Sequence, residues 1–558
     1  MVMCNLKKLN TRLVPLTIGV SGHIDILEDD VISAKEQFLS LIEEFYHKFP
    51  HTPIQLLVSL AVGSDRIAAK AFIEFREKIK NEQPETCRLW ELIAVLPMSI
   101  DEFKKDFSNS VEEFNELLKV SDFCVTMPLQ KNTTLLEIST PGEARNRQYQ
   151  DATRYISSHS NILVVFWDGN DPGKIGGTHD AIRMRLFTHS LDDQFHYSLL
   201  AADQAQFVHH IKIRRKSSLT NSKNEARFEI SPSFSNSIEK TIKNFKDIIK
   251  IDRFNKRILT KINFEQFNDS LEYLFSSNTM ENVKSNIENY SLKSLLELYA
   301  TFDALSIKCE KEWRIYTKII YIAGFITAFL LPVAIEDIFL PWSMIGYLIL
   351  LLFAFGFYTL IRLNKLEDYH VESRALAEFI RVQIVWLYNG YNKTNNINRI
   401  QTIEFNHHFP EKISTTFLGQ QLISLDWVGR VLTSLIIVPN ISNSKESKII
   451  DDKIILDWII GQKLYFEKSQ SRIEKTLSKI DICSKLLIFG GLISALVAIV
   501  MVYFDIHEDR VHQIFVVLAA SLPIMSVVLE NFSDTMGYEM LEKNNDRLLS
   551  IFKYAFFC

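Results

Sequence analysis

Val14-Pro15-Leu16-Thr17-Ile18-Gly19-Val20-Ser21-Gly22-His23 is the stretch whose reading decides the fold. A β-branched apolar run that stops at two glycines and a histidine reads as a buried strand with a sharp turn at its end. From Val31 to Tyr46 the apolar residues change to helical spacing. The same alternation then recurs. Ile54–Val58 ends in Ala61-Val62-Gly63-Ser64-Asp65-Arg66 and a second helical stretch. Glu91–Leu96 stops at Pro97, Asp122–Thr126 stops before Pro128, Asn161–Trp167 runs into Asp168-Gly169, and Gln206–Ile213 closes the series. Strands separated by helices of about 10–15 residues predict right-handed βαβ units. The expected fold is an α/β Rossmann-like parallel sheet, covered on both faces, over residues 1–215.

Beyond this region the composition changes. Ile319–Ile335, Phe339–Ile361, Leu486–Phe504 and Val511–Leu529 are apolar runs without Asp, Glu, Lys or Arg. Each is close to the ~20 residues a helix needs to cross hydrocarbon, and none shows the polar stripe of a surface helix. Four transmembrane helices are therefore expected, in an α-helical second half with long polar helices beside them. With 558 residues the chain is too long for one core. A net charge of −5 provides no basic field, so a general nucleic-acid binder is excluded. Cys4, Cys87, Cys124, Cys309, Cys483 and Cys558 lack metal-ligand spacing and read as reduced thiols.

Flanking charge predicts the orientation. Lys308, Lys311, Arg314 and Lys318 precede the first span, and Arg362 and Lys365 follow the second. Lys475, Lys479 and Lys485 precede the third. The two hairpin tips carry Glu336-Asp337 and the acidic stretch Asp505–Arg510. Positive charge stays inside, so both termini are expected in the cytoplasm of a multi-pass protein. No apolar stretch near Met1 resembles a signal peptide, and the head is expected to remain on the side where it is made. Residues 216–300 read as a linker (Lys216–Asn224) and a helical connector. Residues 301–390 and 451–558 read as two span hairpins with flanking helices, joined by a connector over 391–450 that includes Asn440–Lys448.

In an open parallel sheet the ligand sits beyond the carboxyl ends of the strands. Gly19, Ser21, Gly22 and His23 stand at the first such end, and Gly63, Ser64, Asp65 and Arg66 follow the second. Asp168 follows the Trp167 strand, and Gly176, Gly177 and Thr178 open the next helix. Glycines allow close backbone approach, and the N–H groups of a helix start attract phosphate oxygens. The favoured ligand is a phosphate-bearing small molecule; the alternative is that each glycine merely makes a tight turn. No Ser/His/Asp triad, metal-ligand set or Walker loop is present.

These motifs resemble the SLOG superfamily, Rossmann-like domains related to DprA and to the Lonely Guy phosphoribohydrolases. The likeness rests on Gly19-Val20-Ser21-Gly22-His23, Gly63-Ser64-Asp65-Arg66-Ile67-Ala68-Ala69, Pro97-Met98-Ser99 with Glu102-Phe103, Val164-Val165-Phe166-Trp167-Asp168-Gly169 and Gly176-Gly177-Thr178. Many relatives carry arginine where this chain has Ile24. An anion contact from that position is missing here, or comes from Arg66, Arg145 or Arg147. The Lonely Guy loop also has a proline and a third glycine that Lys174-Ile175-Gly176-Gly177-Thr178-His179-Asp180 lacks. Asp180 and Arg183 can be read as general acid/base and clamp of a membrane-tethered nucleotide or NAD-derivative hydrolase. They can equally be read as a helix-start dipole partner and a surface cation.

Tyr369-His370-Val371-Glu372-Ser373-Arg374-Ala375-Leu376-Ala377-Glu378-Phe379-Ile380-Arg381 and the hairpin before it resemble the SLATT two-span domain. The combined resemblance implies a nucleotide-sensing effector of a bacterial antiphage system in the inner membrane. Its ligand would be a cyclic nucleotide or an ADP-ribose-like molecule, it would need no other cofactor, and it would act on the bilayer as a homo-oligomer. None of the spans has a charged residue in its middle, which disfavours a proton relay or ion-coupled transporter.

Overall fold

The computed structural model describes residues 13–82, 90–130, 133–170, 176–186, 207–217, 234–244, 247–262, 264–274, 290–335, 342–390, 452–504 and 510–557. Over these residues the chain divides into two compact units. One is drawn from Met1–Ala304 and Glu372–Ile450, the other from Leu305–Val371 and Asp451–Cys558.

The first unit contains seven parallel strands: β1 Leu16–Gly22, β2 Ile54–Val58, β3 Glu91–Leu96, β4 Phe123–Thr126, β5 Ile162–Trp167, β6 Phe207–Lys212 and β7 Phe234–Ser235. Their order in the sheet is β4-β3-β2-β1-β5-β6-β7. The expected Rossmann-like class is present. Every residue of β2, β3 and β5 is buried. That double-sided burial is why these strands read as unbroken apolar runs. Between the strands lie α1 Glu28–Lys48, α2 Ser64–Glu82, α3 Ile100–Lys104, α4 Val111–Val120, α5 Leu135–Ile138, α6 Glu143–His159 and α7 Thr178–Leu186. Helix α1 buries Ala34, Phe38, Leu41, Ile42 and Phe45, one stripe at helical spacing. Glu28, Asp29 and Asp30 in its first turn and His47 and Lys48 in its last complement the helix dipole.

Gly19 lies in the middle of β1, where a Cβ would come within 2.8 Å of Ser160 Oγ and 2.9 Å of Ile156 Cγ2. Its missing side chain lets α6 settle against the sheet. Three further helices follow β7: α8 Ile238–Asn244, α9 Asp247–Lys261 and α10 Phe264–Leu274. Helix α9, within the stretch read as a connector, is tied to the sheet. Asn255 accepts from Val14 N and donates to Val14 O, both at 2.9 Å, completing that residue's backbone bonds as a neighbouring strand would. Asp252 Oδ1 accepts from His51 N at 2.9 Å and Thr52 Oγ1 at 3.1 Å. Most of Lys216–Asn224, all of Asn440–Lys448 and the acidic turns at 336–337 and 505–509 lie outside the described residues.

The remaining helices are α11 Tyr290–Ile335, α12 Trp342–Asn364, α13 Leu366–Gly390, α14 Asp452–Tyr503, α15 Arg510–Thr535 and α16 Tyr538–Phe557. Among the described residues, four helices are long and apolar enough to cross a membrane. Approach helix and span prove to be one continuous element in both halves. Helices α11 and α14 have 46 and 52 residues, about 69 and 78 Å at 1.5 Å per residue. In the first unit, Arg374 of α13 pairs with buried Asp303 of α11 at 3.1 Å, and Glu378 receives both Arg374 and Arg381. These charges therefore join two helices, beyond the pairs along one helix surface.

In the second unit α14 and α15 pack closely where Gly491 meets Pro523. A Cβ on Gly491 would lie 2.8 Å from Pro523 Cγ and Cδ. Ser484 Oγ lies 2.7 Å from Ser526 Oγ and donates to Glu530 Oε1 at 2.5 Å. Gly491→Leu is expected to force these helices apart and destabilise the detergent-solubilised protein by about 1–3 kcal/mol. A thermal melt checks this, with Gly356→Leu, which meets nothing within 4 Å, as the neutral comparison.

Candidate functional site

The chain works outward from β1 to β4 and then returns to β5 on the other side of β1. That reversal sets the switch point, where a crevice is expected in such sheets, beyond the carboxyl ends of β1 and β5. Ser21 pairs with Val165 and Gly22 with Phe166, so His23 and Asp168 leave the sheet on adjacent strands. His23 N donates to Phe166 O at 3.2 Å. Gly22 and Gly63 are close-approach positions. A Cβ on Gly22 would lie 2.4 Å from Ser64 Cβ, and one on Gly63, whose φ is +89°, would lie 2.6 Å from His23 O and Ile24 O. Ser64 is fully buried and binds His23 O through both N (3.1 Å) and Oγ (2.8 Å). The first two glycine loops are thus locked together, as their shared position at the sheet edge predicts.

Within the crevice His23 Nε2 lies 3.1 Å from Asp168 Oδ1, and both side chains are buried. Asn170 adds its backbone N–H to Oδ1 at 3.1 Å and its side-chain amide to Oδ2 at 3.2 Å. Burial pushes the Asp168 carboxyl up, but the bonds from His23 and Asn170 outweigh it and hold the group down at about 2. Asp168 is therefore ionised at neutral pH and acts as an acceptor only. Trp167 is buried against His210 and Phe234, with Nε1 donating to Asn170 O at 3.0 Å, so it steadies the turn that carries Asp168.

The loop after β2 carries a second carboxylate. Asp65 is buried and accepts from Ala61 N at 3.3 Å. Burial raises its carboxyl from 3.8 to about 7, against the pull of that N–H and of Arg66. The folded state thus holds this proton more tightly than the unfolded chain. Ionisation between roughly pH 4 and 7 costs stability, which falls as pH rises. Asp65→Asn keeps an acceptor for Ala61 without the charge. It is expected to stabilise the full chain at pH 8 by roughly 2 kcal/mol, with the gain gone below about pH 4. Melting curves at the two pH values check this; a gain that is independent of pH would contradict the burial argument.

At the third loop Gly176 has φ +78°, and its N–H is taken by Asp180 Oδ2 at 3.0 Å; the same oxygen accepts from Gln150 Nε2 at 2.9 Å. Thr178 is buried, and Gly177 O accepts from Ala181 N at 3.0 Å as the first turn of α7. Asp180 is buried and works as the clamp of its own loop, whereas Arg183 is exposed. The structure does not join these two as an acid/base and clamp pair. Residues 171–175, including Lys174 and Ile175, lie outside the described residues.

Of the arginines considered for an anion contact, Arg145 and Arg147 are paired, whereas Arg66 is bonded through Nε and Nη1 and its buried Nη2 has no hydrogen-bond partner among the described residues. Arg66 is buried over the Phe107 ring, 4.7 Å from its centre, and binds Leu60 O, Ser110 O and Glu113. Arg145 is buried against Asp106, Ile138 O and Glu102 O. Arg147 is exposed and pairs with Glu143 one turn away. Ile24 is exposed.

Sequence reasoning missed two buried groups, Gln148 and Arg185, and the half-buried Tyr149. Gln148 donates to Pro97 O and Pro128 O, both at 2.9 Å, tying the ends of β3 and β4 to α6. Tyr149 donates to Asp106; its phenol is raised first by burial and then by that bond. Arg185 binds Ser157 O, Ser160 O and Asn161 O. Each links residues far apart in the chain and belongs to no motif, so only the glycines around them could have signalled a crowded edge. Among the described residues no group of three or more His, Cys, Asp or Glu side chains is placed to hold a metal ion. No known family model matches this chain, and no curated protein matches it.

Proposed function

We propose that this chain is a ligand-sensing membrane effector. A nucleotide-derived molecule, cyclic or ADP-ribose-like, occupies the crevice at His23 and Asp168. Its binding shifts an equilibrium between a closed state and an open or oligomeric state of the membrane helices, and the bilayer then leaks. A ligand does this only to the extent that it binds one state more tightly than the other. The observation that carries the reading is the joint presence of a switch-point crevice with an ionised acceptor and four span-length apolar helices in one chain. The distribution of Lys and Arg around the spans supports cytoplasmic termini. The resemblance to SLOG and SLATT supports a homo-oligomer in a bacterial inner membrane, acting in antiphage defence.

The test is reconstitution of the full chain in dye-loaded liposomes. Release should follow the addition of one class among ADP-ribose, cyclic mononucleotides and cyclic dinucleotides. Leakage that ignores all of them, or its absence with all of them from protein of native melting behaviour, would remove the proposal. The hydrolase alternative draws no support from Asp180 and Arg183, given the buried loop contacts of the first and the exposure of the second.

A further inference from the structure

The crevice edge is richer in acceptors than its glycine loops suggest. Two of the three loops are already closed by the chain's own carboxylates: Asp180 holds Gly176 N–H and Asp65 holds Ala61 N–H. Arg66, Arg145 and Arg147 are held by Glu113, Asp106 and Glu143. A phosphate needs donors and positive charge, and Asp168 and Asp180 set carboxylates beside the N–H groups of this edge.

At the switch point itself, Asp168 receives His23 Nε2 and Asn170 N on Oδ1 and Asn170 Nδ2 on Oδ2. A carboxylate accepts in about four directions, so one on Oδ2 remains open. Because an ionised carboxylate has no proton to give, His23 Nε2 is the donor of their shared bond. The described residues supply Nδ1 with no partner, although His23 is buried. The open direction on Asp168 Oδ2 calls for a donor, and the chemistry that fits it without adding a second negative charge is an uncharged group bearing O–H.

We infer that the His23–Asp168 pair recognises a ribose hydroxyl, so that the ligand seats its sugar rather than a phosphate over the carboxyl ends of β1 and β5. The inference rests on reading this crevice as the nucleotide site and adds which part of the nucleotide lies there.

Calorimetry on the full chain in detergent tests it with AMP, GMP, CMP and UMP, their 2′,3′-dideoxy counterparts, and inorganic phosphate. The tightest ribonucleotide should lose roughly 10- to 100-fold in affinity when its hydroxyls are removed, the worth of hydrogen bonds to a charged group. Asp168→Asn should bring the ribonucleotide down to the level of its dideoxy form and leave the dideoxy form unchanged. A structural role for Asp168 would weaken both alike. The comparison on unaltered protein needs no variant, so a misfolded Asp168→Asn does not remove the test. Dideoxy binding as tight as ribonucleotide binding, or phosphate competing for the site while Asp168→Asn weakens both forms equally, overturns the inference and leaves the nucleotide reading standing. If none of these nucleotides binds up to millimolar concentration, the inference falls, while the nucleotide reading still stands or falls by the liposome assay with ADP-ribose and the cyclic nucleotides.

Discussion

Gly63→Ala is expected to destabilise the α/β unit by about 2–5 kcal/mol, a large share of the roughly 5–15 kcal/mol that holds a domain together. Two effects add. Gly63 has φ +89°, a region that costs a residue with a Cβ roughly 1–2 kcal/mol. The new methyl would also lie 2.6 Å from the carbonyl oxygens of His23 and Ile24. Backbone atoms cannot swing aside as a flexible side chain can, and overpacking of this kind adds about 1–3 kcal/mol. Gly169 separates the two effects. It has φ +92° but meets nothing within 4 Å, so Gly169→Ala should show the conformational cost alone, about 1–2 kcal/mol. Thermal unfolding of the two variants, followed by protease resistance of the first unit, makes the comparison. Equal losses would mean that contact with the His23 turn contributes nothing.

Arg145→Met should be comparably severe, with a loss of about 3–5 kcal/mol. The guanidinium bonds Asp106 through Nε and Nη2, Glu102 O at 2.9 Å and Ile138 O, and it is almost wholly buried. Methionine fills the volume but leaves these acceptors without their donor. Arg145→Lys should recover only part of the loss, because a single ammonium cannot reproduce the planar fork. A melt showing the lysine variant equal to the parent would mean that charge alone matters at this site.

The strands were legible where both faces are buried and punctuation is clear. Ile54–Val58 and Glu91–Leu96 emerge with their expected ends, because unbroken apolar runs bounded by Gly or Pro leave little freedom. Val14 and Asp122, read as strand residues, fall outside β1 and β4: Val14 bonds Asn255, and Asp122 Oδ2 instead caps Leu92 N at 2.7 Å. The short β7 escaped notice because two residues, Phe234 and Ser235, carry no period, and its pairing to β6 is a tertiary contact. The glycine loops were legible because φ above zero and backbone crowding demand glycine. Their carboxylates were ambiguous, since an Asp at a helix start can bind a ligand or its own loop. Only coordinates separate Asp180, which clamps Gly176, from Asp168, which pairs with His23.

The length of Asp452–Tyr503 gives the second unit a mechanical property. Its polar portion, Asp452–Lys485, contains no proline and is about 50 Å long at 1.5 Å per residue. Helix α16 runs beside it, with Phe466 stacked on Phe552 at 5.7 Å and Asn545 donating to Ser469 at 2.9 Å. The result is a doubled helical arm that continues directly into the apolar segment ending at Tyr503. Helices in bilayers are tilted by about 20° on average, and a further tilt of about 10° would swing the far end of such an arm by about 9 Å. With an arm of this length, a small rotation at one end would become a displacement wider than a side chain at the other.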